Sequence, residues 1–400
     1  MIGWKKARLG DCCEITSSKR IFYSDYVESG VPFYRSKEII ESFEGVRNFS
    51  ETLYITEERY NEIRSRFGVP SEGDLLLTSV GTIGVPYLVK RGDRFYFKDG
   101  NLTWFRNFEK TLDSKFLFYW LQTNQGKGEL DAHTIGSSQK ALTIRGLKEV
   151  SIRLPDIEQQ QRMISILSDF DLAIDNARRQ IALLEEAAMR LYREWFVVNA
   201  DPKWEKRRLW DVCDYFRGVS YTSKEIAGKG GVPLITLKNI ERFGGFREDR
   251  SKTFSGVCKD GSSAGPNDVL MAVTDMTKER RLVGHVAMVP DTYDKAQFSM
   301  DLIRLKGKLV SNSFLYAMLR YSTYADEFAV RASGANVLHL KPSSLDDCEV
   351  VVPKRGLREK FDFVFVPMTQ KRNALYRTIL RLTEARDRLL PKLMSGEIEV

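Results

Sequence analysis

Histidine and cysteine are scarce in this chain. Its 400 residues include three histidines, His133, His285 and His339, and five cysteines, Cys12, Cys13, Cys213, Cys258 and Cys348. No Cys-x-x-Cys occurs and the histidines lie far apart, so the ligand spacing of a zinc site is missing and no metal site is expected. Thinly scattered cysteines, odd in number, read as reduced structural thiols of a cytoplasmic protein. The twelve prolines are never adjacent, which removes the Asn/Asp-Pro-Pro-aromatic loop that holds a flipped base in amino-methyltransferases. Gly-x-Gly-x-x-Gly, Gly-x4-Gly-Lys-Ser/Thr and Gly-x-Ser-x-Gly are all absent, so neither a dinucleotide site, an NTP site nor a nucleophile elbow is signalled. No run approaches the ~18 apolar residues of a membrane span. The start, "MIGWKKARLGDCCEI", lacks the apolar region of a signal peptide. No catalytic residue is nominated.

What is present is positive charge and repetition. The formal net charge is +8, which suits a polyanionic partner but says nothing of fold. "WKKARLGDCC" from Trp4 is answered by "WEKRRLWDVC" from Trp204, and "GVPFYRSKEI" (30–39) by "GVPLITLKNI" (231–240). "FLFYWLQT" (116–123) pairs with "FLYAMLRY" (314–321). "GSSQKALTIRGLKEVSIRLP" (136–155) pairs with "GANVLHLKPSSLDDCEVVVP" (334–353), each ending in an alternating strand pattern stopped by proline. Short strand-like runs with Gly and Pro punctuation dominate both bodies, among a few helical stretches. The reading is α+β, with two homologous globular domains at 1–155 and 200–353.

Each body is followed by a helical stretch, at 156–199 and 354–400. In the first, Leu167, Phe170, Ile174, Ala177, Ile181, Leu184, Ala188, Leu191 and Trp195 recur at steps of three and four. A shift of 198 gives Phe365, Met368, Arg372, Leu375, Ile379, Leu382, Arg386, Leu389 and Leu393, of which seven of nine are apolar. A narrow seam on two long helices predicts an antiparallel coiled coil within the chain and a pseudo-two-fold internal repeat. The alternative is that each helix packs on its own domain. Arg372 and Arg386 interrupt the seam. Pro391 is expected to end or kink the second helix, and Pro367 to kink it near its start. Two readers at fixed spacing are what a bipartite duplex site requires.

The binding inventory lies in loops where the two repeats differ most. In the first body it comprises Lys19, Arg20, Tyr23, Arg35, Lys37, Ser79, Thr82, Ser137, Gln139 and Lys140. In the second it comprises Arg217, Tyr221, Lys224, Lys238, Asn239, Lys278, Arg280, Arg281, Arg331 and Asn336. Arg and Lys can bond guanine edges, and Asn and Gln adenine edges, while glycine- and hydroxyl-rich loops such as "TSVGTIG" offer N–H groups to phosphate. Solvated surface charge is the plainer account of any single member.

"LPDIEQQQRMISILSDFDLAID", "LYREWFVVNADPKWEKRRL" and "LLPKLMSGEIEV" resemble the specificity subunit of type I restriction–modification enzymes, and the likeness spans the chain. The resemblance implies two target-recognition domains, spacer helices, and a non-catalytic subunit binding split double-stranded DNA, one half-site per domain. It implies docking to two methyltransferase subunits and, further, to a restriction–translocation subunit. S-adenosylmethionine, ATP and Mg would then belong to those partners, with no cofactor and no membrane association in this chain. Gln159, Gln160, Arg162, Arg178 and Arg179 on the central helix are the implied docking candidates, expected to be exposed. "KRGLREKF" replaces the Glu–Gln–Gln–Arg start in the second repeat, where docking is therefore in question. A stand-alone DNA-modifying or cleaving enzyme, or a protein-binding scaffold, are the alternatives.

Overall fold

The structure is a computed structural model. It describes residues 3–45, 49, 51–136, 140–227, 230–247, 252–277 and 279–400, with only the backbone at 227. The chain divides into two compact units, Met1–Leu172 with Thr383–Val400, and Ala173–Leu382. Each unit therefore holds one globular body and a stretch of both long helices.

In the first unit, Lys5–Arg8 pairs antiparallel with Ser151–Leu154. One four-stranded sheet has the order Glu14–Thr16, Leu102–Arg106, Leu75–Thr78, Pro86–Leu88. A second has the order Tyr26–Val27, Leu53–Ile55, Val31–Tyr34, Tyr96–Phe97, the last pair being parallel. The central strand Leu75–Thr78 is buried along its whole length, as its unbroken apolar run requires. Helix Ser114–Trp120 caps this core, with Asp113 accepting the Lys115 N–H at its start.

The second unit repeats this plan. Glu205–Arg208 pairs with Glu349–Val352. The large sheet runs Cys213–Arg217, Leu302–Gly307, Val269–Ala272, Val286–Met288, strand for strand as in the first unit. The small sheet shares the antiparallel and parallel pairs around Val232–Ile235. It differs in its edge strand, Ser263–Ala264, which lies on the opposite side. The mixed helix–sheet class and the internal repeat read from sequence are thus present in the fold.

The central helix spans Ile157–Arg193 and the C-terminal helix Arg355–Met394, about 55 and 60 Å at 1.5 Å per residue. In the first unit Met163, Ile164 and Leu167 meet Leu390, Leu393 and Met394, with Leu389 at the margin. In the second unit Ala177, Ile181 and Leu184 meet Leu375, Tyr376 and Ile379. Low numbers on one helix face high numbers on the other, so the pairing is antiparallel. The helices also pack on their own domains: the first cluster includes Phe116, Leu117 and Trp120. In the second, Leu191 and buried Tyr192 and Phe196 lie with Phe314, Phe361 and Phe365. Both seam expectations therefore hold, each over part of the helix. Ile174 is buried, while Phe170 and Leu382 are half-buried.

The two arginines that interrupt the seam each meet an acid on the central helix. Arg386 bonds Asp171 at 2.7 Å in the first unit, and Arg372 lies 3.8 Å from Glu185 in the second. Glu185 is two heptads after Asp171, and Arg372 two heptads before Arg386. Tyr119 of the first domain donates its hydroxyl to the same Asp171 at 2.6 Å. Of the two outcomes expected at Pro391, an end of the helix does not occur: the helix continues to Met394, and Pro367 lies inside it as well. Both prolines are exposed.

Removing buried seam volume is expected to cost more than removing exposed leucine. Leu375→Ala should destabilise by about 2–5 kcal/mol in denaturant unfolding. Leu183→Ala, whose side chain is exposed, should stay within about 0.5 kcal/mol.

Candidate nucleic-acid interface

The first domain gathers part of its inventory at one cleft. Arg20, Phe22, Tyr23 and Tyr26 line it on one side, and Lys98, Asp99 and Asn101 on the other. Tyr23 is 90% exposed. A short turn, Tyr23–Asp25, presents it, and the Asp25 carboxylate fixes that turn by accepting the Phe22 N–H at 2.9 Å. Arg20 pairs with Asp99 at 3.0 Å. Lys19 is exposed, with its ammonium 4.6 Å from the Phe67 ring centre.

Other members are already engaged. Arg35 holds Glu38 at 2.6 Å and the Glu51 carbonyl at 3.0 Å, and the Glu38 hydrogen bond raises its pKa. Lys37 pairs with Glu51. Ser79 is corrected outright: it is buried, its hydroxyl 2.6 Å from that of Thr103, so it shapes the loop from inside. Thr82 at the loop tip is exposed, as is Lys140. Ser137 and Gln139 lie outside the described residues.

In the second domain Arg217, Lys224, Lys238 and Asn336 are exposed and Tyr221 is half-buried. Arg331 is exposed but tied to Asp347 at 2.5 Å and to the Ser344 carbonyl at 3.0 Å. Asn239 is a second correction. It is fully buried, accepting the Thr236 N–H at 2.9 Å and donating to the Arg247 carbonyl at 3.0 Å. An amide that can bond an adenine edge here closes a turn instead, because its neighbours leave two backbone groups to satisfy. Arg280 and Arg281 are half-buried, and Arg281 lies 3.8 Å from Glu279. Lys278 lies outside the described residues.

Arg280 sits at φ +53°, a conformation uncommon for a non-glycine residue and held only where surroundings over-determine it. Asp275, missed in the sequence, bonds Thr277 on one side of Arg280 and Leu282 and Val283 on the other. Burial raises its carboxyl, but the backbone N–H groups of Thr277, Leu282 and Val283 and the Thr277 hydroxyl outweigh burial and leave its pKa lowered. Its only sequence signal is a Thr-Asp pair ending an apolar strand, a cue to a turn.

On the central helix, Gln160 is the third correction. It is fully buried. Its carbonyl accepts the Asp113 N–H at 2.9 Å, and its amide donates to the carbonyls of Thr111 at 2.9 Å and Pro155 at 3.0 Å. It pins the helix start to the first domain. Gln159 is half-buried, and Arg162 is exposed and donates to the Val400 carbonyl at 2.9 Å. Arg179 is exposed, and half-buried Arg178 lies 4.0 Å from Asp175. Among the described residues no His/Cys/Asp/Glu group is arranged to hold a metal, and no helix is long and apolar enough to cross a membrane.

Residues 1–186 match the type I restriction modification DNA specificity domain. The chain is 26% identical to the type I restriction enzyme MjaIX specificity subunit of Methanocaldococcus jannaschii, over 99% of this chain and 94% of that protein. The chain is thus similar, over nearly its whole length, to type I restriction enzyme specificity subunits. A putative family member from Haemophilus influenzae is 28% identical over 47% of this chain and 46% of its own length. The crystal structure of the type I restriction–modification S subunit of M. genitalium shares the fold. It has a TM-score of 0.56 at 17% identity, covering 98% of this chain and 96% of that one. The family match spans the first repeat and most of the central helix.

Two measurements check this account. Gln160→Ala should destabilise the chain by about 1–3 kcal/mol in denaturant unfolding, because three backbone groups lose their partner. The Asp275 carboxyl carbon should titrate below the ordinary 3.8. With its folded pKa depressed, Asp275 stabilises fully above the unfolded pKa, and that stability is lost as pH falls through the folded value.

Proposed function

We propose that this chain is a specificity subunit that binds a bipartite double-stranded DNA target, one half-site per domain, and performs no chemistry itself. The observation that carries this reading is one sheet plan built twice, with loops that differ, in a chain with two long paired helices. A scaffold held constant while its exposed loops diverge is suited to reading two different sequences. In the first domain the readers are Lys19, Arg20, Tyr23, Thr82 and Lys140. In the second they are Arg217, Tyr221, Lys224, Lys238, Arg280, Arg281 and Asn336. The formal charge of +8 favours a polyanion, and phosphate contacts dominate affinity in such complexes.

Methylation and, where it occurs, cleavage fall to partner subunits. Two methyltransferase subunits would bring S-adenosylmethionine. A restriction subunit would bring ATP and Mg. Exposed Arg179 and half-buried Arg178 and Gln159 remain the docking candidates on the central helix, whereas Gln160 has another task. The cytoplasm is the compartment where such a complex meets DNA.

Random-site selection with the full chain and its methyltransferase partner is expected to return a split motif with one fixed gap. Arg20→Ala with Tyr23→Ala should weaken the first half-site alone. Affinity should fall steeply as salt rises. A selection that yields a continuous motif, or none, removes the reading.

A further inference from the structure

The second domain's hairpin loop is built around a buried acid. Asp275 is 0% exposed. One carboxylate oxygen accepts the Thr277 N–H at 2.6 Å and the Thr277 hydroxyl at 2.7 Å. The other accepts the N–H groups of Leu282 at 2.6 Å and Val283 at 3.1 Å. One side chain thereby ties the loop's departing and returning strands together. Two further bonds brace it: the Arg281 N–H donates to the Thr277 hydroxyl at 3.1 Å, and the Phe243 N–H to the Arg281 carbonyl at 2.7 Å. The segment so held carries Met276, 76% exposed, and Arg280 in its left-handed conformation.

The scaffold does not itself demand a carboxylate there. In the first domain the matching loop leaves strand Leu75–Thr78 through Ser79 and is closed by neutral groups. The Val85 N–H donates to the Thr78 hydroxyl at 2.9 Å, and Ser79 bonds Thr103. A negative charge near a DNA-facing surface opposes phosphate approach. It is tolerated where four donors satisfy it and where a firm loop is gained in exchange.

We propose that Asp275 is a positioning residue for reading the second half-site. It fixes the backbone around Arg280, at residues 276–277 and 279–282, so that Arg280 meets a base edge in the major groove. A guanidinium there bonds a guanine. Asp275 touches no DNA and acts through Arg280. The proposal rests on the DNA-recognition reading above.

The test uses the full chain with its methyltransferase partner, single-base variants of the selected target, and amide exchange across residues 276–283. Asp275→Asn turns part of the acceptor set into donors facing donors. It should reduce discrimination in the second half-site by about tenfold or more, speed exchange in the loop, and leave the first half-site unchanged. Arg280→Ala should lose the same discrimination, and the double variant no more than Arg280→Ala alone. Thr277→Val, which removes one donor and keeps the acid, serves if Asp275→Asn does not fold. Its loss should be smaller but confined to the same half-site. Faster exchange with unchanged discrimination, or additive losses in the double variant, overturns the positioning role. A wild-type chain that selects no split motif fails the underlying reading instead.

Discussion

The antiparallel pairing of the two long helices is the constraint on which the rest depends. Neither helix can shield its apolar stripe alone, and an isolated helix gains little from propensity. In the first unit the start of the central helix and the end of the C-terminal helix share a core with the first domain, through Leu167, Leu390 and Leu393. In the second unit Ile181 and Leu375 close the seam, and Phe196 and Phe361 join the second domain's core. The first globular body is thus completed in part by the far end of the chain, through Leu390 and Leu393. Acids on the central helix answer the arginines of the partner helix in both units, which favours pairing between unlike helices over pairing between like ones.

Most of this was legible in the sequence because it is periodic or repeated. The seam from Leu167 and the block repeats around Trp4 and Trp204 report burial patterns directly, and burial patterns decide element type. Arg372 and Arg386 looked like defects because periodicity counts only apolar residues. Their partners, Glu185 and Asp171, become visible only once the helices are antiparallel and in register. Pro391 lies on an exposed face within a turn of the helix end, where a missing N–H interrupts little.

The interface was less legible. Ser79, Asn239 and Gln160 have the chemistry of surface readers, yet all three are buried and bond backbone groups inside the fold. A polar side chain in a loop can face water or satisfy the turn that carries it, and composition does not distinguish the two. Asp275 was overlooked by the same rule in reverse, since an acid is out of place beside a polyanionic partner. The matching loops solve one problem twice, with neutral hydroxyls at Thr78 and Ser79 and with a carboxylate at Asp275. A shared scaffold therefore carries loops of different chemistry, which is what two distinct half-sites call for.

The central claim is that two copies of one domain plan read two half-sites independently. Random-site selection with the full chain and its methyltransferase partner, comparing Arg20→Ala with Tyr23→Ala in the first domain against Arg217→Ala with Lys224→Ala in the second, is the most direct measurement. The account predicts that each pair relaxes one half of a split motif and leaves the other unchanged. Both halves relaxing together under either pair would contradict it.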